Sequence, residues 1–502
     1  MRVRIMSSVV VVAVLVVIMP VLVVANCTSL GNEFTCPYTS MKYEPAEVEQ
    51  PFIETSGFVY LSFEQVTNST MVSAIRLPAN AFLDNENERD DQFNKYYGNF
   101  TARALCARDG SSDARCYSTT QSTFQNMVFN EDCTALSFTS WKFTVDPRQP
   151  TPENYFGYEY ITQTMCEIDG GLSPSSEEET PEPAFQDDNG CEGGRPSGVY
   201  SCVASSISYT DGQFVPLAEE FGFVFSPLAD SPSPVFLVET AHDMTQAPSA
   251  ENHELLEDSI GGYSNPAMCA IDASSPDRFM CTDATDASAN YFSVLGDTCE
   301  ALTFVGGEAL VEVNAMIQEM YFGAPFAHTG VCVKGDGSDA LDAARMMTME
   351  LEDNRSCDPA PTYDCSYDSL KKDMVSGSLV EVQGTGVVEL SGTFPTFIRT
   401  FTREGLYLND GNLASDVFAK YAGSEFSAAC AYAMDADPSH GPVAYCWQVT
   451  QGASSVLTFS DDCTELSIFT GEPLLDAPDD DAESIYDFEY PLAGIIQCSA
   501  SS

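Results

Sequence analysis

The stretch NEDCTALSF, Asn130–Phe138, decides the fold because the chain writes it three times. It returns as GDTCEALTF at Gly296–Phe304 and as SDDCTELSI at Ser460–Ile468. Around these phrases the 18 cysteines fall into three sets of six. The first set is Cys27, Cys36, Cys106, Cys116, Cys133 and Cys166. The second is Cys191, Cys202, Cys269, Cys281, Cys299 and Cys332, and the third is Cys357, Cys365, Cys430, Cys446, Cys463 and Cys498. The sets span 140, 142 and 142 residues, and 24 residues separate each from the next. This regularity is a tandem triplication. Its period far exceeds the 20–50 residues of a solenoid unit, so each copy is long enough to bury a core of its own.

Other positions keep the same register. An aromatic residue stands two before the second cysteine of each set (Phe34, Tyr200, Tyr363). An Asp lies just before the fifth (Asp132, Asp297, Asp462), and a Leu follows it by three (Leu136, Leu302, Leu466). A Phe stands ten before the sixth, at Phe156, Phe322 and Phe488. Segments such as GFVYLSFEQV, FGFVFSPL, VFLVET and SVLTFS are rich in Val, Phe, Tyr and Thr, and several alternate apolar with polar, the period of a half-buried strand. Between the third and fourth cysteines lies a variable loop rich in Asp, Gly, Ser and Pro, which reads as a hairpin tip. The third and fourth cysteines are therefore expected to pair across it. The other pairings stay open, since six cysteines allow 15 connectivities. The expected fold is all-β: three tandem six-cysteine modules, each a β-sandwich or small β-barrel with one short helix.

The expected organisation is a signal peptide at 1–25, modules at 26–166, 191–332 and 357–502, an acidic extended linker at 167–190, and a linker at 333–356. Within that second linker, SDALDAARMMTMELED (Ser338–Asp353) has helical periodicity. The leader reading rests on Arg2 and Arg4, the apolar run Val9–Ala25 with Pro20 inside it, and a small residue before the cut. No apolar tail closes the sequence, so no lipid-anchor signal is read there. A secreted chain with an even cysteine count is expected to be disulfide-bonded throughout. Sequons at Asn68, Asn99 and Asn354 are expected glycosylation sites, whereas Asn26 adjoins a half-cystine at the cut.

Formal net charge is −54, from 75 acids against 21 Lys and Arg. Nucleic acid and anionic membrane are excluded as electrostatic partners. The acid runs DNENERDD (Asp84–Asp91), GDGSDALD (Gly335–Asp342) and DAPDDDAE (Asp476–Glu483) offer oxygen ligands to divalent cations. They lack the closing Glu of an EF-hand pattern, so diffuse cation association rather than a metal site is expected. No catalytic or cofactor motif is present. The four histidines, His242, His253, His328 and His440, do not recur at matched positions, and neither do Trp141 and Trp447. The leading expectation is a secreted, non-enzymatic binding or structural protein meeting a matrix, wall or surface component. A carrier of small apolar ligands and an acidic extracellular hydrolase are the alternatives. In outline, a secreted disulfide-bonded β module of this size resembles lipocalin-like barrels, without their Gly-x-Trp near the first strand. That resemblance implies a fold and no function.

Overall fold

The computed structural model describes separate ranges in each third of the chain. In the first third these are residues 33–43, 52–66, 69–76, 101–108, 113–118, 123–130, 134–143 and 159–168. In the second they are 195–210, 213–226, 235–240, 266–272, 275–283, 289–296, 298–309 and 325–353. In the last they are 356–372, 379–403, 425–434, 441–448, 454–474 and 490–501. The leader, all four sequons, the acid runs 84–91 and 476–483, and Phe156, Phe322 and Phe488 lie outside the described residues.

Each third forms a closed eight-stranded antiparallel barrel. The first is built from β1 (Phe34–Tyr43), β2 (Phe52–Gln65), β3 (Thr70–Arg76), β4 (Thr101–Arg108), β5 (Asp113–Ser118), β6 (Thr123–Phe129), β7 (Ala135–Phe143) and β8 (Glu159–Ile168). The second uses β9 (Gly198–Thr210), β10 (Gln213–Ser226), β11 (Val235–Thr240), β12 (Pro266–Asp272), β13 (Ser275–Asp283), β14 (Ala289–Val294), β15 (Ala301–Ala309) and β16 (Pro325–Lys334). The third uses β17 (Thr362–Lys372), β18 (Leu379–Thr393), β19 (Thr396–Arg403), β20 (Glu425–Tyr432), β21 (Val443–Gln448), β22 (Ser454–Phe459), β23 (Glu465–Leu474) and β24 (Tyr490–Ala500). First and last strands pair in every case, β1 with β8, β9 with β16 and β17 with β24. Closure leaves no edge strand, and of the two architectures the sequence allowed, the barrel is the one formed.

Disulfides explain why the cysteine spacing is so regular. Cys36–Cys166, Cys202–Cys332 and Cys365–Cys498 bolt the first strand of each barrel to its last, across the seam. Cys106–Cys116, Cys269–Cys281 and Cys430–Cys446 join the fourth and fifth strands as facing pairs in the ladder. In the third barrel Cys357–Cys463 ties the chain entering the barrel to the β22–β23 turn. Seam bridges close loops of 130 to 133 residues, which in the chain-entropy model stabilises by about 5 kcal/mol each.

The recurring aromatic and Leu positions fill the barrel interiors. Phe34, Tyr200, Tyr363, Leu136, Leu302 and Leu466 are all buried. The tyrosine hydroxyls serve the fold as well: Tyr200 donates to the carbonyl of Cys299, and Tyr363 to that of Cys463 at 2.8 Å. Burial raises both phenols above their ordinary range. In the second barrel the core is a phenylalanine cluster in which Phe225 touches Tyr200, Phe279 and Phe292 edge-on at 5.2, 5.7 and 5.6 Å. The Asp before the fifth cysteine behaves as a turn cap where it is described. Asp462 accepts hydrogen bonds from Ser460 Oγ and from both the amide and hydroxyl of Thr464, which hold its carboxyl below the usual range.

Among the described residues the one helix, α1 (Ser338–Asp353), lies outside the barrels, following β16. LASDVFAKYAG, the short helix-like stretch of the third module, falls outside the described residues. Helix α1 buries Ala340 and Ala344 toward the wall of the second barrel, and Arg345 pairs with Glu220 of β10 and Asp342 of its own helix. No described helix is long and apolar enough to cross a membrane.

The barrels also pack on one another. Ile207, Val305 and Ala327 on the outside of the second barrel meet Ala429, Ala431 and Trp447 of the third, and Tyr291 stacks on Tyr445 at 4.4 Å. Ala107 of the first barrel meets Phe469 and Ile495 of the third, Arg115 lies over the Phe469 ring, and Ser69 hydrogen-bonds Asp368.

Candidate functional site

Strand pleating sends alternate side chains inward, and the inward positions change character along each barrel. Near the seam cysteine they are aromatic and aliphatic. Four residues further along the first strand, ~13 Å at the usual rise, each barrel places a buried serine: Ser40, Ser206 and Ser369. The strands run so that this end of each barrel carries the long connections. These are 77–100 and 144–158 in the first barrel, 241–265 and 310–324 in the second, and 404–424 and 475–489 in the third.

Each serine begins a polar row that crosses the last three strands by direct register. In the second barrel the row is Ser206, His328, Gly306 and Asn290. In the third it is Ser369, Gly494, Thr470 and Ser455. In the first barrel the same register positions are Ser40, Thr162, Ser140 and Gln125. Each row adjoins the fourth cysteine of its set, since Cys116, Cys281 and Cys446 face Gln125, Asn290 and Ser455.

In the second barrel, His328 Nε2 lies 2.7 Å from Asn290 Oδ1. The imidazole stacks on Phe221 and meets Phe304 edge-on at 5.2 Å. Enclosure among aromatic rings penalises the charged form and pushes the His328 pKa down to about 3, so the ring is neutral and Nε2 is the donor to Asn290. Gly306 is required here: a Cβ would fall 1.8 Å from Asn290 Oδ1 and 2.5 Å from His328 Nε2. Ser206, opposite His328, is fully buried, and its hydroxyl makes no hydrogen bond. No hydrogen bond joins Ser206 Oγ to the ring here, the contact by which a base activates a serine nucleophile.

The third barrel replaces imidazole chemistry with a cation. Arg399, on the inner face of β19 between Phe397 and Phe401, is 1% exposed, and its Nη1 donates to Ser455 Oγ at 2.8 Å. Gly494 stands where the second barrel has His328, and a Cβ there would lie 2.2 Å from Ser369 Oγ. The hydroxyls of Ser369 and Thr470 are buried without hydrogen-bond partners. A buried hydroxyl left unsatisfied costs about 1–3 kcal/mol, so an interior row of them is a place where a water or ligand polar group gains most.

Of the residues named from sequence, His328 belongs to this site, and the acid runs 84–91 and 476–483 lie outside the described residues. The cysteines and tyrosines build the barrel below it. The described part of Gly335–Asp342 leads into and begins α1, and no cluster of three or more His, Cys, Asp or Glu suited to a metal occurs among the described residues. Sequence reading found no recurring nucleophile, yet the serine four after each second cysteine does recur, in CPYTS, CVASS and CSYDS. Aligning the copies on that cysteine exposes it.

No family model matches the sequence, and no curated protein matches it. Among solved structures, the chain is similar to a DUF3598-family protein of unknown function from Nostoc punctiforme, with 7% identity, 62% of this chain and 97% of that chain covered, and a TM-score of 0.21. It is also similar to a mutant of the vaccine antigen transferrin binding protein B from Haemophilus parasuis, with 6% identity, 94% and 77% covered, and a TM-score of 0.16. At TM-scores this low neither neighbour carries an argument about this chain.

Proposed function

We propose that the chain is a secreted, non-enzymatic binding protein whose three disulfide-stapled barrels each take a small molecule at the polar row of the interior. The observation that carries this reading is the buried serine at one register position in all three barrels, with the hydroxyls of Ser206 and Ser369 unpartnered. The leader-like N-terminus and the seven disulfides seen among the described residues support an oxidising, extracellular setting, with the leader removed near Ala25 and glycans on Asn68, Asn99 and Asn354. A matrix protein working by avidity would present one surface three times. That reading is less favoured, because the outer walls are spent on unlike contacts, Ile207 and Val305 against Trp447 in one place and Ala107 against Phe469 in another. The test is native mass spectrometry on protein purified from a eukaryotic secretory host, together with a thermal-shift screen of small molecules. Retention of up to three small-molecule equivalents, or stabilisation by defined compounds, is expected. A protein that retains nothing and responds to no compound would refute the reading.

A further inference from the structure

We propose that the three barrels close into a ring through one head-to-tail interface used three times, so that each barrel is the binding partner of the next. The ring does not depend on the reading of the interiors as small-molecule sites. One wall of each barrel is its third, fourth and fifth strands. The wall that meets it is the first, seventh and eighth strands of a neighbour. From the first barrel to the third, β4 lies on β24, β5 on β23 and β24, and β3 and β4 on β17. From the third to the second, β20 lies on β16 and β9, β21 on β15 and β16, and β19 on β9 and β16. From the second to the first, β12 lies on β8 and β7, and β11 on β1 and β8. The same strands serve each time, and three steps return to the start. A head-to-tail contact that returns to its start makes a closed ring and not a filament.

Register makes the three contacts one interface, although the residues differ between junctions. Ala107, Ala270 and Ala431 directly follow the third cysteine of their sets. That cysteine belongs to the interior core of its barrel, so pleating turns each Ala outward. Yet these alanines are 1%, 0% and 0% exposed. Leu105, Met268 and Ala429, on the other side of the cysteine, are outward and fully buried as well. Three after the repeated Leu stand Thr139, Val305 and Phe469, outward on the seventh strand and all buried. Ala107 meets Phe469 and Ile495 of the third barrel, and Ala431 joins the cluster that holds Val305 and Ala327 of the second. One before the fourth cysteine, Arg115 lies over the Phe469 ring and Tyr445 stacks on Tyr291. An outward alanine covered at one register position in three barrels is a docking position, since a small side chain lets the neighbouring wall approach. The strand order also sets direction. Walls of order third, fourth, fifth and first, eighth, seventh match side by side only when barrels of one hand point the same way. The ends bearing Ser40, Ser206 and Ser369 therefore share one face of the ring.

The experiment keeps the full-length oxidised chain and makes the first barrel a separate molecule only after folding. A protease site is placed within residues 171–185, and the folded protein is cut there. No described disulfide joins the two fragments. Gel filtration in about 150 mM salt, where the Debye length of about 8 Å limits repulsion between acidic surfaces, and native mass spectrometry read whether they stay together. Cut wild type is expected to remain one particle, because the first barrel is held at two junctions and the second contact adds to the first. Ala107→Arg opens one of these junctions and Ala270→Arg the other. Each is expected to speed release of the first barrel by about tenfold or more, the scale of overpacking a close contact. The double variant is expected to part on cutting. Met346→Arg, at a residue 65% exposed on α1, should change nothing. Should Ala107→Arg or Ala270→Arg not fold, Ala107→Leu or Ala270→Leu adds bulk without charge and should shift release in the same direction. Separation of the cut wild type, or undiminished retention by a folded single variant at either junction, would overturn the ring.

Discussion

Replacing His328 with Gln should change how the second barrel responds to acid, and the size of the change follows from the site. The imidazole is held neutral among Phe221, Phe304 and Asn290, with its pKa pushed from 6.5 to about 3. Between those two values the unfolded chain binds a proton that the native barrel refuses. Native stability is therefore undiminished above pH 6.5 and is lost progressively as pH falls below it. Integrating the linkage from pH 7.5 to pH 5 gives a loss of about 2 kcal/mol from this one residue. The remaining acids titrate in both proteins, and the fall in net charge acts on both, so the difference between wild type and His328→Gln isolates the ring. Gln keeps an amide donor for Asn290 Oδ1. Hydrogen exchange of peptides covering β14 to β16, in the full chain at pH 7.5 and pH 5, reads the opening free energy of this barrel. The wild-type minus variant difference should shift by about 2 kcal/mol toward the variant at pH 5. A difference that stays constant to within about 0.5 kcal/mol, a typical error of additive mutational energies, would show that the ring is solvated or charged in the native state.

Gly306→Ala should destabilise the same barrel by about 1–3 kcal/mol in urea denaturation, the usual cost of overpacking, because its methyl group would collide with Asn290 and His328. Tyr363→Phe should cost about 1 kcal/mol by removing the bond to the Cys463 carbonyl, and an unchanged midpoint would show the hydroxyl to be idle. Non-reducing peptide mapping should find Cys27–Cys133 and Cys191–Cys299, the counterparts of Cys357–Cys463; a bridge between barrels would contradict the modular frame. Residues 191–353 expressed alone in an oxidising compartment should melt cooperatively and bind an apolar dye through Ile207, Val305 and Ala327, which the third barrel otherwise covers. A non-cooperative melt would mean that the barrel needs its neighbours to fold.

The parts of the fold that were legible in the sequence are those made by residues with few substitutes. A half-cystine must face its partner, so spacing survives duplication; Leu136, Leu302 and Leu466 fill one interior position and keep their type. The polar row was not legible for two physical reasons. Its members differ in kind from barrel to barrel, so that His328 in one copy is Gly494 in another, and the common element is serine, which blends into any strand. The alternation rule also fails where both faces of a strand are buried. In β16, PFAHTGVCVK, Ala327 and Val331 point outward and are as buried as the inward Cys332. An outward apolar residue there signals a neighbouring barrel, which a period-two reading of one strand cannot separate from the core.

The three barrels divide their residues by tolerance for change. Below the seam cysteine, the aromatic, the Leu and the disulfides form a plug whose members must fit together, and the copies agree there. Above it, the constraint is only that an inward side chain be accommodated, and the copies differ in chemistry: a neutral imidazole braced by an amide in the second barrel, a guanidinium with hydroxyls in the third. A duplicated structural spacer would have no reason to vary its interior while keeping polar groups there. Apolar residues would satisfy the same volume without the desolvation cost of buried hydroxyls. Keeping the polarity while changing its kind is what the proposed function asks of three barrels that each take a different small molecule. That makes the interior rows, rather than the acidic exterior, the place to alter when the barrels' preferences are to be exchanged. His328→Gly, which gives the second barrel the residue the third has at Gly494, is the direct trial: under the proposed function it should change which small molecules raise the melting temperature, and an unchanged response would show that the row does not set the preference.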